Sequence, residues 1–112
     1  MQFSESLRKN HEFQAVYKNG KQYANKYLVM YVKENGLACN RIGISVSKKV
    51  GNSVIRHRVK RLIKEGYRLQ EKIFNSGLDI VIVARVSAAS VGFYELESAL
   101  LHLGKLQQII KL

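Results

Sequence analysis

The sequence contains no proline, a single cysteine and only eight acidic residues in 112. Without proline, and with little glycine or serine, it lacks the composition of a disordered linker. It reads as one folded domain spanning residues 1–112. Cys39 stands alone, which excludes an internal disulfide, and with three scattered histidines it makes no zinc site. A reducing, cytoplasmic compartment is expected. Met1 to Asn10 lack the apolar centre of a signal peptide. No apolar run approaches the roughly 18 residues of a membrane span, so no membrane association is expected. The acids that would build a hydrolytic site are scattered too. Glu65, Glu71, Asp79, Glu95 and Glu97 have no metal-ligand spacing, and His11, His57 and His102 lie far apart. The expectation is no catalytic residue, no metal ligand and no cofactor held by the chain itself.

What the chain has in excess is positive charge. Nineteen Lys and Arg against eight Asp and Glu give a net charge of +11. A domain so far from neutrality repels itself, a polyanion relieves the repulsion, and nucleic acid is the natural partner. The charge is concentrated. Residues 1–47 carry seven basic and three acidic side chains, residues 48–68 eight and one, and residues 69–112 four of each. The 21 residues of the middle segment therefore hold +7 of the +11.

Hydrophobic periodicity predicts the elements. A first helix runs from Asn10 to Lys18, capped by Asn10, with Phe13, Val16 and Tyr17 at helical spacing. Asn19-Gly20 is expected to end it with a residue that tolerates positive φ. A short strand at Gln22–Ala24 precedes two alternating segments. Tyr27–Lys33 points Leu28, Met30 and Val32 to one side. Arg41–Ser47 does the same with Ile42, Ile44 and Val46. Leu78–Arg85 is an unbroken apolar run, as in a central strand buried on both faces. A last helix is expected from Phe93 to Ile110, with Leu96, Leu100, Leu103 and Ile110 on one stripe and Gly104 as a weak point. The fold class is α+β, an αβββαβα sandwich with three helices packed on one small sheet.

The basic segment forms a helix from about Asn52 to Arg68. Gly51 frees the backbone before it, and Asn52 or Ser53 caps it. Ile55, Val59, Leu62, Ile63 and Gly66 form its apolar stripe. Arg56, Lys60 and Lys64 lie opposite, flanked by His57, Arg61 and Arg68. Arg58 sits at the boundary, where its stem covers apolar surface. Solvated faces normally mix signs, yet only Glu65 offers an acid here. Like charges at Arg56/Lys60 and Lys60/Lys64 oppose the isolated helix, and an anionic partner resolves the conflict.

The run Ser47-Lys48-Lys49-Val50-Gly51-Asn52, followed by Arg56-His57-Arg58 and Lys60-Arg61, resembles the signature of the bacterial ribonuclease P protein family. Leu7–Gly20, Ala24–Lys26, Arg41–Ser47 and Ile80–Arg85 extend the resemblance over most of the chain. His57 departs from the pattern, which has Asn in the middle of its Arg-Asn-Arg triplet; imidazole can still hydrogen-bond or stack there. The resemblance implies a left-handed β-α-β crossover and the arrangement of the second domain of a small-subunit ribosomal protein. It implies one RNA surface made of Lys48, Lys49, Asn52, Arg56, His57, Arg58, Lys60, Arg61, Lys64 and Arg68, facing the catalytic RNA. It implies a second, a cleft for the 5′ leader of precursor tRNA, formed by Phe13, Tyr17 and Tyr31 over a floor of Gly43 and Ser45. In such an enzyme the RNA performs a magnesium-dependent hydrolysis. The protein assists by binding, with no obligate protein partner. A structural, ribosomal-type RNA-binding protein carries the same charge logic and is the alternative reading; a DNA-binding domain is a weaker one.

Overall fold

A computed structural model describes residues 4–111. Its five-stranded mixed sheet has the order β1-β4-β5-β3-β2, where β1 is Ser4–Ser6, β2 Lys21–Ala24, β3 Leu28–Glu34, β4 Asn40–Ser45 and β5 Leu78–Ala84. Helix α1 (Asn10–Asn19) covers one face, while α2 (Ser53–Gln70) and α3 (Phe93–Leu106) cover the other. β4 is parallel to both β1 and β5; β3 is antiparallel to β5 and β2. The α+β sandwich with three helices is as expected, and β1 is an added first strand, making the order βαβββαβα.

Alternation dictates which residues meet. Leu28 and Met30 of β3, with Ile80 and Ile82 of β5, are completely buried against Val59, Ile63 and Tyr67 of α2 and Leu96, Leu100 and Leu103 of α3. The odd positions of β5 face α1, where Val81 packs with Leu7 and Val16. β5 is thus buried on both faces, and its continuous apolar run is what a strand between two helix layers requires. Gly66 lets α2 and α3 approach closely, since a Cβ there would lie 3.5 Å from the Glu97 Cα.

Three local expectations change. Gly20 is extended (φ −83°), not left-handed. Small size is what matters at this position, because a Cβ would come within 2.5 Å of the Val16 carbonyl oxygen. At the other end of α1, Glu12 performs the capping by accepting the backbone N–H groups of Arg8 and Lys9, at 3.2 and 3.0 Å. Finally, α3 stops at Leu106, four residues before Ile110. Gln107 turns inward and donates to the carbonyls of Lys21 and Met30, at 2.8 and 3.1 Å. Gln108 adopts a positive φ of 61°, and Ile110 bridges back to Phe74 over Gly104. Gly104 makes room for Ile110 instead of bending the helix.

Candidate nucleic-acid interface

Helix α2 begins as the sequence demands. The Asn52 side chain accepts the Ile55 N–H at 3.0 Å, satisfying one orphan donor of the first turn. The carboxamide oxygen is held by the cap, and its nitrogen is free to donate outward. Val59, Ile63, Gly66 and Tyr67 are the buried face. Tyr67, absent from the expected stripe, shares a 2.8 Å hydrogen bond with Ser4 and accepts one from Asn40 at 3.3 Å.

The cations of the helix divide into three groups. Lys48, Lys49, His57 and Arg61 are exposed, the first two in the turn before the helix. Arg56 and Lys60 turn toward α1 and line one hollow with Phe13, Tyr17 and Ser45. Lys64 joins Lys60 and Phe13 along an adjoining hollow beside Leu7 and Ile44. The other two arginines are already engaged. Arg58 donates to the Val91 carbonyl at 2.9 Å, tying α2 to the segment before α3. Arg68 forms a two-pronged pair with Glu65, at 2.9 and 2.5 Å, which holds the Glu65 carboxyl below its ordinary range. Arg58 gives one N–H to local structure and Arg68 shares its charge with Glu65, so each keeps fewer N–H groups for RNA than the exposed cations do.

Arg56 is peculiar. Its Nε is buried and has no hydrogen-bond partner among the described residues. Such a group costs about 1–3 kcal/mol when left unsatisfied. An acceptor oxygen entering the hollow would remove that cost.

The aromatic side is built on Gly43. A Cβ there would fall 2.6 Å from the Phe13 ring, so glycine lets α1 lay that ring onto β4. Gly43 is buried beneath Phe13 and is not an open floor, which corrects the expectation for this residue. Tyr17 meets Tyr31 edge-on, with centroids 4.9 Å apart, and Phe13 at 6.4 Å. All three rings are partly buried, with one side packed on Val16 and Val81. The basic helix and the aromatic cleft thus share a wall; they are not separate surfaces. Arg8, Asn10 and Gln14 also line the hollow, and the sequence did not point to them as cleft residues. Arg8 is brought there by the pairing of β1 with β4, which the polar tripeptide Ser4-Glu5-Ser6 does not announce.

A clamp fixes α1 over the sheet. Arg41 donates to both oxygens of Asp79, at 2.8 and 2.6 Å, and to Glu12 at 3.1 Å. The Asp79 side chain is 3% exposed. Its burial pushes the carboxyl up, but hydrogen bonds from Arg41 and Asn35 outweigh this and hold it below the ordinary range. Glu12 is held low as well, chiefly by the Lys9 and Arg8 backbone N–H groups. Glu12 precedes Phe13, so the clamp sets where that ring rests.

Among the described residues, no group of three or more His, Cys, Asp or Glu is placed to hold a metal ion. No described helix is long and apolar enough to cross a membrane.

Fold and surface together define a small, basic α+β domain built to bind RNA, with a cationic helix and an aromatic cleft along one wall. The sequence pattern of the Ribonuclease P family matches residues 1–107, and the chain belongs to this family. It is 64% identical to the ribonuclease P protein component of Lachnoclostridium phytofermentans over 107 residues, covering 96% of this chain and 92% of the relative. It is 50% identical to that of Alkaliphilus metalliredigens over 110 residues, covering 98% and 99%. The fold superposes on the Staphylococcus aureus RNase P protein with a TM-score of 0.87 at 34% identity, covering 95% of this chain and 97% of the other. For the Thermotoga maritima protein the TM-score is 0.83 at 32% identity, covering 91% and 96%.

Proposed function

We propose that the chain is the protein subunit of ribonuclease P, acting with a catalytic RNA in endonucleolytic removal of the 5′ leader from precursor tRNA. The observation that carries this reading is the shared hollow, where Phe13 and Tyr17 stand beside Arg56 and Lys60. Stacking rings next to phosphate-binding cations suit a single RNA strand. The exposed cations Lys48, Lys49 and Arg61, with His57, extend the same positive field along α2 toward the catalytic RNA. The chain neutralises phosphates, releases counterions and lowers repulsion between two RNAs brought together. It holds the leader in the cleft so that the scissile bond is positioned for attack. Hydrolysis belongs to the RNA. In this reading magnesium is used by the RNA too.

Leader binding has a direct test. Phe13→Ala in the reconstituted enzyme is expected to weaken precursor tRNA binding by roughly 5- to 150-fold, from about 1–3 kcal/mol per stacked base. Mature tRNA, which lacks the leader, is expected to lose much less. A general packing defect would lower both affinities together. Equal losses for precursor and mature tRNA would therefore reject the cleft.

A further inference from the structure

The end of the sheet where β4 and β5 finish carries a second surface outside the cleft. Lys26, Lys49 and Arg85 surround a hollow there, together with Ser47 and Ser87, and no acidic side chain among the described residues lines it. Lys26 also borders a neighbouring groove between the β2–β3 turn and α3, walled by Tyr27, Tyr94, Ser98 and His102. Tyr94 is 78% exposed, an unusual state for so large a ring. Phe93 braces it edge-on at 5.4 Å, and Lys26 Nζ lies 5.5 Å from the Tyr27 centroid.

The surface is held rigid by its own hydrogen bonds. The Asn25 Oδ1 accepts the N–H groups of Tyr27 and Leu28, at 3.2 and 3.0 Å. Its Nδ2 donates to the Ala99 carbonyl at 2.9 Å and to His102 Nδ1 at 3.2 Å. Arg85 and Ser87 donate to the carbonyls of Asn25 and Lys26, at 3.0 and 2.5 Å, tying the turn to the segment after β5. Glu95, the acid on the rim, is occupied in accepting the Gly92 N–H at 3.0 Å. Little ordering remains to be done when a ligand arrives.

The surface is also continuous with the cleft. Ser45 and Val46 line the aromatic hollow, and the next residue, Ser47, lines the cationic one. Lys26 then joins the cationic hollow to the tyrosine groove. Phosphates fit a hollow with the Lys26 and Lys49 ammonium groups, the Arg85 N–H groups not given to Asn25 and the Ser47 hydroxyl, and an unpaired base fits an exposed tyrosine face. An acidic peptide would satisfy the cations but make little use of the ring.

We propose that Lys26, Lys49 and Arg85 with Tyr27 and Tyr94 form a second single-stranded RNA site at the end of the sheet, beyond the leader cleft. This rests on the reading of the chain as a ribonuclease P subunit. The strand has two possible sources, the distal part of the leader or an unpaired segment of the catalytic RNA. The reconstituted enzyme separates them. In one arm, precursor tRNAs with progressively longer leaders are bound to wild type, Tyr94→Ala and Lys26→Ala. In the other, the same proteins are titrated with the catalytic RNA alone, and Leu37→Ala, an exposed apolar change on the β3–β4 turn, is the control. Loss of about 5-fold or more for both variants with long leaders assigns the site to the leader. The same loss with the catalytic RNA assigns it there. In either case Lys26→Ala flattens the salt dependence, whereas Tyr94→Phe retains binding. If both variants match the control in both arms, the site is overturned. Should Phe13→Ala still cost leader binding in that case, the cleft reading survives; should it fail as well, the cleft reading falls with it.

Discussion

Replacing Arg56, Lys60 and Arg61 together with alanine is expected to weaken binding to ribonuclease P RNA by two to three powers of ten, at about 1–1.5 kcal/mol per lost contact. The salt dependence should fall in parallel. Each phosphate contact contributes about 0.7–0.9 to the slope of log affinity against log salt, so three lost contacts reduce it by about 2–3. Lys60 and Arg61 are exposed and pair with no acid among the described residues, so their removal costs the fold little. Arg56 brings a buried Nε with no partner among the described residues, so alanine also removes an unsatisfied donor. A weaker affinity with an unchanged salt slope would mean that these side chains do not meet phosphates. Arg68→Ala is the contrasting variant, since its charge is already spent on Glu65. It should move the slope far less.

Arg41→Ala carries the largest expected effect on stability. Removing one partner of a buried ion pair leaves the other charge uncompensated, which costs about 3–5 kcal/mol. Here the stranded group is Asp79, buried in the sheet with Asn35 as its remaining side-chain donor at 3.0 Å. For a domain of this size that lowers Tm by roughly 10 °C or more. The pH dependence changes as well. The folded-state pKa of Asp79 lies below its ordinary 3.8. The clamp therefore stabilises the protein fully above that value, and the contribution is lost as pH falls through the lowered one. Wild type should lose stability steeply in that acid range. In Arg41→Ala burial pushes Asp79 the other way, so the acid limb becomes shallower. Thermal unfolding between pH 2.5 and 7 checks this, and parallel curves for the two proteins would contradict it.

The parts of the fold written in local periodicity were legible in the sequence. β3, β4, β5 and α2 follow from alternation, from an unbroken β-branched run and from a 3.6-residue stripe. The parts decided by distant partners were not. Ser4-Glu5-Ser6 has no strand signal and becomes β1 because β4 offers it a parallel edge. Phe93–Ile110 reads as one helix because nothing local tells of Gln107 bonding to Lys21 and Met30 across the molecule. Arg41 and Asp79 are 38 residues apart and become neighbours only through the register of two parallel strands.

The candidate site divides in the same way. Charge counting located α2, and the Ser-Lys-Lys to Lys-Arg pattern tied it to a family. Neither separates a free arginine from one already engaged, as Arg58 is with the Val91 carbonyl. Gly43 looked like a vacant floor because sequence cannot place the Phe13 ring upon it. The common wall of the basic helix and the aromatic cleft depends on the angle at which α1 crosses the sheet, which is set by the Arg41 clamp and by Gly43.

The role proposed for this chain is to assist a catalytic RNA in trimming precursor tRNA. Its most direct test is cleavage of precursor tRNA by cognate ribonuclease P RNA at low magnesium, with and without the chain. Adding the chain is expected to lower the apparent KM for precursor tRNA and to restore cleavage at magnesium concentrations where the RNA alone is slow. Cleavage unchanged by the chain, with the RNA shown to bind it, would contradict the account.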